Sequence, residues 1–126
     1  MSRLGLALLV LLATAVPAFA GGRWFHSPSL NIGCEIDWQR SGISDRAYCQ
    51  TYHPARSVTM NRTGGLRICS GVGCIGDGPE NAFTLRYGKA AQLGPFRCLS
   101  LASGMRCTVP SGRGFLLSRS GVKRLP

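Results

Sequence analysis

Two histidines, His26 and His53, are the only imidazoles in the chain. A pair of imidazoles is enough to cleave a phosphodiester: one acts as base, the other as acid, and an arginine balances the phosphate charge. Both lie in loop-like sequence close to prolines, Pro28 and Pro54. Glu35 and Asp37 are two residues apart, a spacing that would place two carboxylates on one face of a strand. That face is polar, so solvated charges are the plainer expectation for them. No serine lies in a Gly-x-Ser-x-Gly context, which removes the commonest serine-nucleophile signature.

Two further stretches have the letters of a ligand site. Gly71-Val72-Gly73-Cys74-Ile75-Gly76 matches G-x-G-x-x-G. A dinucleotide site also needs a helix after the glycines and an acidic residue about 20 positions on. Here Gly76, Gly78 and Pro79 oppose a helix and position 96 is Phe, so no cofactor is expected. Asp77-Gly78-Pro79-Glu80-Asn81 offers oxygen ligands but lacks the alternating spacing of a calcium loop, so a turn is expected and no metal.

The six cysteines, Cys34, Cys49, Cys69, Cys74, Cys98 and Cys107, carry the clearest chemistry. An even count in a short exported chain reads as a disulfide framework, and the absence of any C-x-x-C pair argues against zinc. Oxidised sulfurs also leave no thiolate nucleophile.

The elements that must position these residues read as β-strands. From Leu30 to Trp38, Leu30, Ile32, Cys34, Ile36 and Trp38 alternate with Asn31, Gly33, Glu35 and Asp37, the pattern of a half-buried strand. After a turn at Ser41-Gly42, Arg46–Tyr52 returns beside it and brings Cys49 near Cys34. Residues 21–29 read as loop, and 54–65 have no period. Leu66–Cys69 and Ala82–Tyr87 are expected as short strands. Phe96–Leu101 and Met105–Val109 form a hairpin, and a two-residue loop at Ala102-Ser103 sets Cys98 opposite Cys107, within disulfide reach. Phe115–Arg119 is expected as the final strand. No segment holds a 3.6-residue period over helical length. Short strands with frequent glycine turns define the expected fold class: all-β, a small disulfide-stapled antiparallel sandwich or barrel.

Pairing sequence neighbours gives Cys34–Cys49, Cys69–Cys74 and Cys98–Cys107. Loop-closure entropy assigns these about 3, 2 and 2.5 kcal/mol, together comparable to the whole stability of a small domain.

Composition places the chain. Residues 1–20 read as a secretory signal peptide: Arg3, an uncharged run from Leu4 to Val16, then Ala18-Phe19-Ala20. That run is too short for a membrane helix, so no span is expected after cleavage. Residues 21–126 form one domain with 14 basic and 5 acidic residues, a net charge of +9. The expected location is exported, periplasmic or extracellular. Twelve of the 14 are arginines, which bind phosphates and carboxylates bidentately. Arg97 and Arg106 fall on the hairpin face away from the cysteines, and Arg86 and Arg119 would extend that face if their strands adjoin. These four are the candidate anion-binding residues. Few aromatics interleave with the arginines, which argues against nucleic acid as partner.

The chain also carries Phe25-x-Ser27-Pro28-Ser29-x-Asn31-Ile32-x-Cys34, then Cys74-x-Gly76-Asp77 and Tyr87-Gly88. Gly94-x-Phe96-x-Cys98 and Gly104-Met105-x-Cys107 follow, and Gly112-x-Gly114-Phe115-x-x-Ser118-Arg119 closes it. In this order it resembles a family of small exported six-cysteine bacterial proteins classed as a domain of unknown function. The resemblance implies the same disulfide pairing and an exported location, and no activity. It departs at Leu30, where the family tends to have glycine, and at Arg113, where it tends to have histidine. The middle, from Tyr52 to Gly73, does not follow the family pattern.

The sequence therefore points to a non-enzymatic basic binding or envelope-associated domain, with acidic envelope polymers or a protein as partner. Two other readings stand beside it. One is a small secreted hydrolase such as a ribonuclease, using His26 and His53. The other is a protein-partner or inhibitor module, which a large exposed apolar patch would favour.

Overall fold

The computed structural model describes Gly5 and residues 20–126. The expected signal peptide, apart from Gly5 and Ala20, lies outside the described residues.

Eleven strands follow one another: β1 (Gly21–His26), β2 (Ile32–Trp38), β3 (Arg46–Tyr52), β4 (Ala55–Met60), β5 (Leu66–Ser70), β6 (Phe83–Thr84), β7 (Ala90–Leu93), β8 (Phe96–Leu101), β9 (Gly104–Thr108), β10 (Gly114–Ser118) and β11 (Gly121–Leu125). They form two sheets in a sandwich. The first has the order β5-β4-β3-β2-β1-β6 and the second β11-β10-β9-β8-β7. All neighbours are antiparallel except β1 and β6, which are parallel. The sandwich reading of the fold class is the one observed; the sheets do not close into a barrel.

The core lies between the sheets. Phe25, Ile32, Ile36, Ala47, Val58 and Met60 face Leu93, Phe96, Met105, Phe115 and Leu117 across it, all buried. Two disulfides sit in the middle. Cys34–Cys49 bridges directly opposed positions of β2 and β3, and Cys98–Cys107 does the same for β8 and β9. They pack against each other, with Cys49 Sγ 3.7 Å from Cys107 Sγ. The third disulfide, Cys69–Cys74, closes a small loop at the surface after β5. All three pairings match those expected from the order of the cysteines.

The hairpin register at Ala102-Ser103 is as expected, with Leu101 opposite Gly104 and Cys98 opposite Cys107. Several boundaries differ. Residues 21–26 are a strand rather than a loop, because they pair with Gly33–Trp38 of β2. The unreadable stretch contains β4, which pairs with both β3 and β5. Ala82–Tyr87 shrinks to the two residues of β6, and Phe115–Arg119 is not the last strand, since β11 returns beside it.

Leu30 is not on a strand either. It sits in the β1–β2 turn with φ +64° and is 62% exposed. Left-handed backbone costs a non-glycine residue about 1–2 kcal/mol. Leu30→Gly is expected to stabilise the protein by about 1 kcal/mol, because little buried apolar area is lost with the side chain. Denaturant unfolding checks this; a lower midpoint in the variant would contradict it.

Candidate functional site

The strand order forces one long crossing. β5 and β6 occupy opposite edges of the first sheet. The chain between them therefore traverses the outer face, about 24 Å at the usual strand spacing. The glycine-rich segment 71–82 does this as a strap. The Cys69–Cys74 disulfide and a 3-10 turn at Val72–Cys74 fold its first part. Midway, Gln50 on β3 holds it by an amide pair: Gln50 Nε2 donates to the Gly76 carbonyl at 2.6 Å, and Gly76 N–H donates to Gln50 Oε1 at 3.0 Å. Tyr48 O–H donates to Gln50 Oε1 at 2.7 Å, and burial raises its pKa above the usual tyrosine value of 10.0. Here the G-x-G-x-x-G letters shape a strap, and Asp77–Asn81 is its far half.

Beneath the strap lies a cavity of about 390 Å³, lined among others by His26, Glu35, Tyr48, Tyr52, Asp77 and Pro79. Gly33 forms its floor on β2, with the Tyr52 ring resting over it; an added Cβ there would meet the Tyr52 hydroxyl at 3.2 Å.

Beside the cavity the two strand carboxylates are not solvated charges. Asp37 is fully buried, and Arg40 and Arg46 donate to its two oxygens, each at 3.0 Å. Glu35 accepts from the same two arginines at 3.3 and 3.1 Å and from Trp24 Nε1 at 2.8 Å. Arg40 stacks 5.1 Å over the Trp24 ring and Arg46 5.4 Å over Tyr48. The expectation of water-exposed carboxylates fails because the Cys34–Cys49 register sets Asp37 directly opposite Arg46. This cluster neutralises itself and offers no free acid–base pair.

A second cleft, of about 550 Å³, opens at the end of the sandwich between the β1–β2 turn, the β8–β9 turn and the β10–β11 turn. His53 and Arg119 line it and also line the shallower cavity beside it. Of these three cavities His26 lines only the one under the strap, and His53 lines only the other two. Asn31 fixes the His53 backbone from both sides, accepting from its N–H at 2.9 Å and donating to its carbonyl at 3.1 Å.

Of the candidate anion-binding residues, Arg97 and Arg106 stand together. Both are exposed on the outer face of the second sheet, on diagonal positions of β8 and β9. Lys123 lies in the row of Arg106 with Leu116 between them. Arg86 and Arg119 do not extend this face. Arg86 follows β6, which belongs to the other sheet, and Arg119 sits in the turn between β10 and β11.

Charge is unevenly divided along the chain. Residues 21–80 carry six basic and five acidic residues, net +1; residues 81–126 carry eight basic and no acidic residue, net +8. All four ion pairs among the described residues involve Glu35 or Asp37. The sulfurs of Cys49, Cys98 and Cys107 cluster within 4.8 Å, but all three are in disulfides and have no thiolate to offer a metal.

Fold and site together define a cystine-stapled β-sandwich with one charge-balanced sheet and one basic sheet. No family model, curated protein or solved structure matches the chain. Three disulfides fit an oxidising compartment, and no helix among the described residues is long and apolar enough to cross a membrane.

Asp37→Ala is expected to cost about 3 kcal/mol, because it leaves Arg40 and Arg46 converging on an empty buried position. Equilibrium unfolding in urea measures this; a loss below about 1 kcal/mol would show that the arginines swing to solvent without penalty.

Proposed function

We propose that this chain is an exported, non-enzymatic binding domain whose five-stranded sheet holds acidic polymers of the cell envelope. In this reading residues 1–20 are the export signal, the mature domain begins at Gly21, and its work is done in the periplasm or outside the cell. The resemblance to small exported six-cysteine proteins supports that location.

One observation carries the reading: residues 81–126 have eight cationic side chains and no acidic one. A surface needing charge only for solubility would mix signs. Instead, every acid resides with the first sheet or its loops, where two of the five are spent on Arg40 and Arg46. Arg97, Arg106 and Lys123 are left to act outward. Phosphate and carboxylate groups along a polymer match such a face, and counterion release adds affinity that falls with salt. The protein-partner reading called for a large apolar patch. The exposed large apolar residues, Leu30, Ile68, Val72, Phe83 and Tyr87, come from five separate segments, none on the outer face of this sheet.

Binding of the oxidised protein to an acidic polysaccharide is expected to fall steeply between low and physiological salt. Arg97→Ala with Arg106→Ala is expected to weaken it about tenfold while leaving the melting temperature unchanged, since both side chains are exposed. Equal binding by the double variant, or binding indifferent to salt, would overturn the assignment of this face. RNA degradation in parallel samples would favour the hydrolase reading instead.

A further inference from the structure

We infer that the cleft at the end of the sandwich is a second, separate binding site, built for a phosphoryl group at the end of a larger hydroxylated molecule. It uses none of the outer-face residues Arg97, Arg106 or Lys123, so it stands whether or not that face binds polymer.

The argument begins with what lines the cleft. Its charged side chain is Arg119, accompanied by His53, Ser103, Ser120 and the Tyr87 phenol. No carboxylate lines it, nor the adjoining shallow cavity that Arg119 and His53 also face. Among the described residues, Arg119 makes no ion pair, and no hydrogen bond engages its guanidinium, the His53 ring, or the hydroxyls of Ser103, Ser120 and Tyr87. These polar groups come from the β3–β4, β8–β9 and β10–β11 turns and, for Tyr87, the segment between β6 and β7, and they converge on one cleft with no partner inside the protein.

A second unpaired cation lies at the same end of the sandwich. Arg56, the second residue of β4, has its guanidinium near Gly121, just past the Ser118–Ser120 turn; an added Cβ at Gly121 would lie 3.6 Å from Arg56 Nη1. That Nη1 is buried and has no hydrogen-bond partner. A desolvated guanidinium nitrogen without an acceptor is costly, and no acid lines the neighbouring cavities to offset it. Its positive charge adds to that of Arg119 at this end of the molecule.

The ligand class follows from the donors. A guanidinium offers a planar fork to two oxygens of a tetrahedral anion, and hydroxyls supply single donors to the rest. A cleft of about 550 Å³ is far larger than one phosphate. The remaining space suits the polar body to which the phosphate is attached, such as a phosphorylated sugar or a lipid headgroup.

The test is a titration of the oxidised protein with inorganic phosphate, read from amide chemical shifts. Saturable shifts confined to the turns around Arg119, Ser103 and His53 are expected. Arg119→Ala should weaken them at least tenfold, whereas Arg97→Ala with Arg106→Ala should leave them unchanged. Arg119 is exposed on a turn, so that variant should fold; Arg119→Lys, which keeps the charge and loses the fork, is expected to recover part of the affinity. Phosphatidylglycerol vesicles that displace phosphate in an Arg119-dependent way would identify lipid headgroups as the source, and vesicles that do not would leave soluble phosphates. Shifts spread over the whole basic surface without saturation, or equal binding by Arg119→Ala, would overturn the site.

Discussion

Two disulfides packed against each other at the centre of the sandwich set the terms for everything else in this molecule. Each joins directly opposed residues on neighbouring strands, and their sulfurs meet between the sheets at 3.7 Å. A cross-strand disulfide pins register, and in a sheet a slip of one residue would turn every side chain to the other face. With Cys34 opposite Cys49, Asp37 must face Arg46 and Glu35 must face Tyr48. With Cys98 opposite Cys107, Arg97 and Arg106 must point away from the core. The carboxylate clasp on one outer face and the arginine face on the other are thus both consequences of where the cystines lie.

The same constraint separates the charges by sheet. The first sheet holds its carboxylates in a cluster with two arginines and two aromatic rings, on a face crossed by the strap. The second sheet has no acid to pair with, and its cations remain available to a partner. A small domain that buries little apolar surface tolerates such self-repulsion because covalent links, rather than a large core, hold it together.

Much of this was legible in the sequence wherever information was local. The alternation from Ile32 to Trp38 and the two-residue loop at Ala102-Ser103 determined strands, register and the Cys98–Cys107 pair without long-range knowledge. The strands that were missed lack that signal. β1 opens on two glycines, β4 follows a proline and carries Arg56 inward, and β11 is an edge strand with adjacent cations. β6 was expected, as Ala82–Tyr87, but only two of those residues find a partner, a parallel strand nearly 60 positions earlier that no local pattern encodes. The burial of Asp37 was within reach, since the Cys34–Cys49 pairing already implied its partner. So was the division of charge, because the last acid is Glu80. The strap cavity and the end cleft were not, as both depend on strand order and on turns brought together from distant parts of the chain.

The most direct measurement compares two disulfide deletions, Cys98→Ala with Cys107→Ala and Cys69→Ala with Cys74→Ala, by thermal unfolding under oxidising conditions. Loop-closure entropy alone assigns the two links nearly equal worth, about 2.5 and 2 kcal/mol. If the stacked cystines are the centre of the fold, losing Cys98–Cys107 also empties packed core volume, and that variant should be unfolded or nearly so at 37 °C. The strap variant should stay folded with a modestly lower melting temperature. Equal losses in the two variants would contradict the account, because the central pair would then be only another loop closure.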